Sequence, residues 1–377
     1  MNFLEHLPFE IVEIIFQHLN GRDVLNLSEV NNSFNNFIAK CLNKIVFNVK
    51  KKASLESIQN VLKTSTRHYR HVKISQYSNF ISSKLITWPI ISLTISDIDF
   101  SNFDDFLTLM MHSKFVQEMR MSRIFILSVE KTHKEYQISF EYLKILNFHC
   151  CHSIIYEKIL RNCSNLKKFS IKAGSEMPIS AENTIKNLLI KNSNLKFLEI
   201  HFNIFGIIFG SDFLTNSLKF KLKRFEASSN LNQSFEMLRS NFCNFLLTQI
   251  DTLEEISIHN WMGLDVMKII FLSPHLQKLT LKGFHNYECE NIDWENLELQ
   301  RNNSIEVLNF HDISENFQIF RTVVNACSYL KKCSFYSLNN EMINYLASNC
   351  SKLISIHVEK LFVNSSDYEL KNLIIVS

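Results

Sequence analysis

The chain has 377 residues, 46% of them apolar and 20% charged, with a formal net charge of +3 and a pI near 8.3. The apolar fraction supports an extensive core. So small a charge, with no like-charge block longer than Lys50–Lys52, nominates neither nucleic acid nor a membrane surface as a partner.

The first six residues lack the basic start and unbroken apolar stretch of a secretory signal. The most apolar short run, Ile204 to Phe209, is interrupted by Gly206 and is far too short to span a bilayer. Nine cysteines, an odd number without paired spacing, fit a reducing compartment. A cytoplasmic and/or nuclear protein is therefore expected.

At the N-terminus, Pro8 suits the first turn of a helix, where its missing N–H costs nothing. Ile11, Ile14, Ile15 and Leu19 then fall on one face of that helix. Asn20-Gly21 ends it, Asp23 opens a short second helix, and a third begins near Asn31–Ser33 and carries Phe34, Phe37 and Ile38. Three short helices in forty residues make a marginal core, which calls for support from the following domain or from a partner.

From residue 42 onward one pattern recurs: apolar, two variable, apolar, one variable, apolar. Examples are Leu143/Leu146/Phe148, Leu195/Leu198/Ile200 and Leu276/Leu279/Leu281. Thirteen copies begin between Leu42 and Leu353, at intervals of 21 to 31 residues that average about 26, in the range of leucine-rich repeats. A partial fourteenth copy is Leu370/Leu373/Ile375.

The second and third apolar positions are two residues apart and so share one face of a strand. Between the strands lie segments of helical spacing, such as Ile154–Ile155–Ile159–Leu160, Ile185–Leu188–Leu189 and Met342–Ile343–Leu346. One such unit cannot bury its own apolar face, but stacked units share a continuous core. The expected fold is α/β: a leucine-rich-repeat solenoid over 42–377, a horseshoe with parallel strands on the concave face and helices on the convex face, preceded by a three-helix domain over 1–41.

Cys163, Cys327 and Cys350 each stand three residues before a leading Leu, where Asn192, Asn302 and Ser273 stand in other repeats. A helix-end position filled by thiols and small polar residues reads as structural. His149-Cys150-Cys151-His152 has no second ligand pair at zinc spacing, and Cys151 falls at the repeat's Asn/Cys position, so it also reads as structural. No phosphate loop, nucleophile elbow or His-Glu-x-x-His helix is present. The expectation is a non-catalytic protein without cofactor or metal.

The second, fourth and sixth residues after each leading position face away from the core. Lys168, Arg224, Lys278 and Lys332 hold the second position in every other repeat. His149, His201, His259 and His311 hold the sixth in the intervening ones, in the same row as Lys172, Lys282 and Tyr336, with Glu199, Glu226 and Glu255 interrupting the field. Two readings stand: a basic groove for an acidic or phosphorylated segment of a protein substrate, or an ordinary solvated strand face. With strands about 4.8 Å apart, histidines on alternate strands are expected about 10 Å apart, too far to share a metal.

Leu7-Pro8-Phe9-Glu10-Ile11 followed by Asp23-Val24-Leu25-Asn26-Leu27-Ser28-Glu29-Val30 resembles the F-box, and its position ahead of a repeat array resembles the F-box/leucine-rich-repeat family. The family's Cys-Lys-x-Trp is replaced here by Asn31-Asn32-Ser33-Phe34. The resemblance implies docking on the Skp adaptor, and through it on a cullin, by Leu7, Pro8, Ile11, Leu19, Leu25 and Val30. It implies a substrate-recognition subunit of a ubiquitin ligase. The alternative is a repeat scaffold or inhibitor acting outside a ligase, with the helices only capping the array.

Overall fold

The computed structural model describes residues 46–49, 70–76, 88–111, 113–128, 138–172, 179–201, 203–209, 218–228, 235–259, 263–283, 297–311, 317–362 and 374–376, together with single residues between 11 and 26. These fall into two compact units, Met1–Leu166 and Lys167–Ser377. The expected boundary at 41/42 lies outside the described residues.

The first unit carries β1 (Val46–Val49), β2 (His71–Ser75), β3 (Ser92–Phe100), β4 (Glu118–Ile126) and β5 (Ile145–His149). Each strand pairs in parallel with its sequence neighbour. The second carries β6 (Lys168–Lys172), β7 (Phe197–His201), β8 (Arg224–Ser228), β9 (Glu255–His259), β10 (Lys278–Lys282), β11 (Val307–Phe310), β12 (Lys332–Asn339), β13 (Ser355–Phe362) and β14 (Ile374–Val376), paired in the same way. Helices lie between strands, so both units have the α/β repeat architecture that the pattern predicts.

Register follows from burial. In the second unit Phe169, Leu198, Phe225, Ile256, Leu279, Leu308, Cys333 and Ile356 align strand to strand, and each is buried. A slip of one residue would turn this whole row to water. Each apolar side chain of this size is worth roughly 1.5–3 kcal/mol when buried, and each repeat's row is covered by its neighbours rather than by its own helix alone. The partial last copy joins the stack through Ile375, opposite Ile356. The leading residues of the first two copies, Leu42 and Tyr69, lie outside the described residues, though Phe47 and Val72 pair as the pattern requires.

Strand entry and exit are regular too. One residue after the leading position, each backbone N–H donates to the carbonyl of the same position in the previous repeat: Lys196 to Lys167, Lys223 to Lys196, Glu254 to Lys223, Gln277 to Glu254, Glu306 to Gln277, and Lys331 to Glu306. The seventh position takes the left-handed region at Gln76, Asp97, Arg123, Cys150 and Gly283; it follows the strand at Gln76, Cys150 and Gly283, and falls inside the longer β3 and β4 at Asp97 and Arg123. Only Gly283 is a glycine. Asp97 and Arg123, in neighbouring repeats, form an ion pair between β3 and β4.

The predicted helical segments are α-helices. In the first unit α1 spans Phe103–Met111 and α2 spans Ser153–Leu160; in the second, α3 spans Ile179–Lys191 and α4 spans Asn203–Phe209. They are followed by α5 (Phe235–Gln249), α6 (Leu264–Phe271), α7 (Phe317–Ala326) and α8 (Asn340–Asn349). Ile155, Ile159 and Leu160, then Ile185, Leu188 and Leu189, then Met342, Ile343 and Leu346 are all buried. His152 caps α2 by accepting from the Ile154 amide, and His149 bonds Ser122 across the strands, which gives two members of the His-Cys-Cys-His run structural work.

The helix-end position closes orphan carbonyls. Cys163 Sγ bonds Ile159 O, Asn192 Nδ2 donates to Leu188 O, and Ser273 Oγ donates to Ile250 O. Asn302 Nδ2 reaches both Phe271 O and Ser273 O. Burial pushes the thiols of Cys163, Cys327 and Cys333 well up, and that of Cys151 up to about 12. A thiol lifted from 9 to about 12 has roughly a thousandfold less thiolate near neutral pH. Native-state iodoacetamide labelling at pH 8, mapped by mass spectrometry, is therefore expected to spare Cys151, Cys163, Cys327 and Cys333 until denaturant is added. Labelling of these four at the rate of the half-buried Cys243 would mean that the repeats open freely around them.

Candidate functional site

Four neighbouring strands of the second unit, β8 to β11, present a groove of about 240 Å³ on the side-chain face opposite the core. Its lining comes from the rows predicted to face outward: Arg224 and Lys278 from the second position, Glu226, Thr280 and Asn309 from the fourth, and Lys282 and His311 from the sixth, with Glu255 and Ser257 beside them. The alternation of a strand sends these side chains to one side while Phe225, Leu279 and Leu308 go to the other, and Ile256 contributes at the groove's base.

Charge in the groove is unevenly compensated. Arg224 is paired with Glu255 across the β8–β9 boundary, and Glu226 lies 3.4 Å from His259 Nε2. Lys278 and Lys282 have no acidic partner among the described residues. They stand at i and i+4 on one strand, about 13 Å apart along it, with Thr280 between them. Asn309 Nδ2 donates to Thr280 Oγ1 at 3.1 Å, which fixes the floor. The uncompensated positive charge is thus concentrated on β10.

The remaining predicted residues are distributed around this groove, not inside it. Lys168 Nζ lies 4.2 Å from the centre of the Phe197 ring, and the Arg224 guanidinium lies 5.5 Å from the same ring. Lys172 Nζ pairs with Glu199 at 3.0 Å. Lys332 and Tyr336 on β12 do not line the groove. His201 was expected on an open face but is 5% exposed. Its Nε2 lies 2.7 Å from Glu199 Oε1, and its Nδ1 lies 2.6 Å from Ser228 Oγ.

The expected 10 Å between histidines on alternate strands does not hold. The His201 and His259 rings meet edge-on with centroids 6.0 Å apart. Between them in register stands Ser228, too small to keep the rings apart. Burial, then Lys282, His201 and Lys172, hold the His259 imidazole down to about 4, so it is neutral near pH 7. Desolvation works to raise Glu199, but hydrogen bonds from His201, Ser170 and Lys172 outweigh it and hold its carboxyl down to about 2.

At the N-terminus, Ile11, Ile14 and Ile15 are helical and 43%, 50% and 38% exposed. Leu19 is half-buried. Ile14 and Ile15 extend the apolar face of Ile11 by one helical turn and belong with it as contact candidates. Leu7, Pro8, Leu25 and Val30 lie outside the described residues.

Residues 4–46 match the family model of the F-box domain, the domain that the Leu7–Ile11 and Asp23–Val30 stretches resemble. No curated protein matches the chain. Among solved structures it is similar to the yeast Rad7 and Elc1 complex, at 15% identity and TM-score 0.47, covering 98% of this chain and 92% of that one. It is similar to a TLR13–single-stranded RNA complex at 14% identity and TM-score 0.37, covering 88% and 54%. A leucine-rich-repeat protein of Leptospira interrogans is 12% identical with TM-score 0.28, covering 88% of each chain.

Proposed function

We propose that this chain is the substrate-recognition subunit of a Skp–cullin–F-box ubiquitin ligase. The carrying observation is an F-box domain match at residues 4–46 ahead of an α/β repeat solenoid. An F-box supports a role as a ubiquitin-ligase adaptor in general. The finer reading is that residues 1–41 hold the Skp adaptor, and through it a cullin, while the repeats over 42–377 hold a protein substrate in the cytoplasm or nucleus. The exposed Ile11, Ile14 and Ile15 face supplies the apolar area that such docking needs.

The chain contributes no chemistry of its own in this reading. Its repeats present a target at fixed distance from the ubiquitin-conjugating enzyme, so catalysis by the complex gains from proximity. Co-expression with a Skp adaptor followed by size-exclusion chromatography tests the first half. Co-elution is expected. Separate elution of two folded proteins would reduce the N-terminal helices to a cap on the array.

For the substrate half, the groove on β8 to β11 favours an acidic or phosphorylated segment, seated against Lys278 and Lys282. A charge-assisted hydrogen bond is worth roughly 1.5–3 kcal/mol. Lys278→Glu with Lys282→Glu is therefore expected to weaken capture of an acidic substrate by about tenfold or more, with adaptor binding unchanged. Lys332→Glu, off the groove, is expected to have little effect. Equal losses from the two changes, measured by pull-down with the assembled complex, would remove the groove as the substrate site.

A further inference from the structure

We infer that Glu199, His201, Glu226 and His259 form a binding site for a divalent transition-metal ion of the zinc class, on the face shared by β7, β8 and β9. Ligand atoms of Glu199, His201 and Glu226 all lie within 4.8 Å of one another. The fourth donor, His259 Nε2, is 3.4 Å from Glu226 Oε1. A tetrahedral zinc ion with nitrogen and oxygen ligands at 2.0–2.2 Å needs its donors about 3.3 Å apart. The first three donors close in from within 4.8 Å by side-chain rotation, and His259 joins them from the Glu226 side.

Backbone register does most of the positioning. Glu199 and His201 are two residues apart on β7 and so share a face. Glu226 is the in-register neighbour of Glu199, and Ser228 that of His201. His259 is in turn the partner of Ser228. Three adjacent strands therefore hold two carboxylates and two imidazoles on a hydrogen-bonded frame. Two imidazoles with two carboxylates suit zinc and its neighbours better than magnesium or calcium, which prefer all-oxygen sites.

The surroundings are those of a ligand set. Ser228 Oγ lies 2.6 Å from His201 Nδ1, the outer contact that orients a metal-bound imidazole and selects which nitrogen is free. In the metal-free arrangement His201 Nε2 faces Glu199 Oε1 at 2.7 Å, so a proton occupies the place of the ion. Binding through Nε2 moves that proton to Nδ1, leaving the imidazole neutral, and the Ser228 hydroxyl turns to accept from Nδ1–H. Lys172 Nζ holds the same Glu199 oxygen at 3.0 Å. It is the competing cation that an incoming ion displaces, and with Lys282 on the far side it opposes binding by its charge.

Lys172 provides the discriminating test. The full chain, stripped with chelator and titrated with Co(II), is expected to bind one equivalent with the intense visible bands of a tetrahedral site, and Zn(II) is expected to abolish them. His259→Gln and Glu226→Gln, both at partly exposed positions, are each expected to weaken Co(II) binding by about tenfold or more. Lys172→Ala is expected to tighten it, a direction that a folding defect does not mimic. No saturable Co(II) binding by the folded wild type would overturn the proposal. So would binding that all three variants leave unchanged, since the ion would then sit elsewhere, for instance at His149–His152.

Discussion

Replacing Leu7 and Pro8 together by alanine is expected to abolish co-elution with the Skp adaptor while leaving the repeat core folded. Interfaces of this kind rest on a few apolar anchors, each costing on the order of 2–4 kcal/mol when truncated. Two such losses weaken binding by roughly a thousandfold or more. Leu7 supplies apolar bulk, and the sequence pattern predicts Pro8 at the first turn of the helix that carries Ile11, Ile14 and Ile15. Those three isoleucines lie exposed, so their side chains add little to the chain's own core and are available to a partner. Size-exclusion chromatography of the co-expressed pair reads the result, with thermal melting of the variant alone as the control. A variant that still co-elutes would place the adaptor contact elsewhere in residues 4–46. A variant that no longer melts cooperatively would show that the same residues brace the array.

Most of the fold was legible because the repeat encodes it redundantly. Two strand positions that must be apolar in every unit leave the same trace many times over, so substitutions such as Cys333 in one row or Ala227 in the other do not obscure it. The helix-end row was legible for the same reason, and its chemistry explains why Cys, Asn and Ser interchange there: each offers a short donor to a carbonyl. The left-handed seventh position was not legible, because Gln76, Asp97, Arg123 and Cys150 occupy it without the glycine that usually marks such a conformation.

The candidate site divided along similar lines. Which rows face outward follows from strand alternation alone, and Arg224, Lys278, Lys282 and His311 do gather in one groove. Which cations are neutralised does not follow, because pairing depends on rotamers across strands. Arg224 with Glu255 and Lys172 with Glu199 are cross-strand choices that periodicity does not dictate. Likewise, strand spacing fixes backbone distances but not ring distances. One small residue, Ser228, lets His201 and His259 close to 6.0 Å and turns two remote positions into one cluster.

Truncating Phe225 to alanine is expected to destabilise the second unit by about 3–5 kcal/mol. Phe225 is fully buried and touches rings from α5, Phe242 at 5.8 Å and Phe245 at 5.3 Å. Phe209, at the end of α4, lies 5.1 and 5.2 Å from those same two rings. The cavity left by a ring cannot be filled by one neighbour without breaking its contact with another, and the aromatic pairs contribute roughly 0.5–1.5 kcal/mol each beyond burial. Because each repeat is held mainly by its neighbours, the damage should begin at β8 and spread to β7 and β9. Urea unfolding is expected to show a lowered midpoint or a separate early phase, and hydrogen exchange should locate that phase at residues 197–201, 224–228 and 255–259. Arg224 and Glu226 flank Phe225 and point to the groove face, so substrate capture should fall with the early phase. Adaptor binding through residues 4–46 should survive it. Joint loss of both activities at the same urea concentration would instead show that the chain unfolds as a single cooperative block.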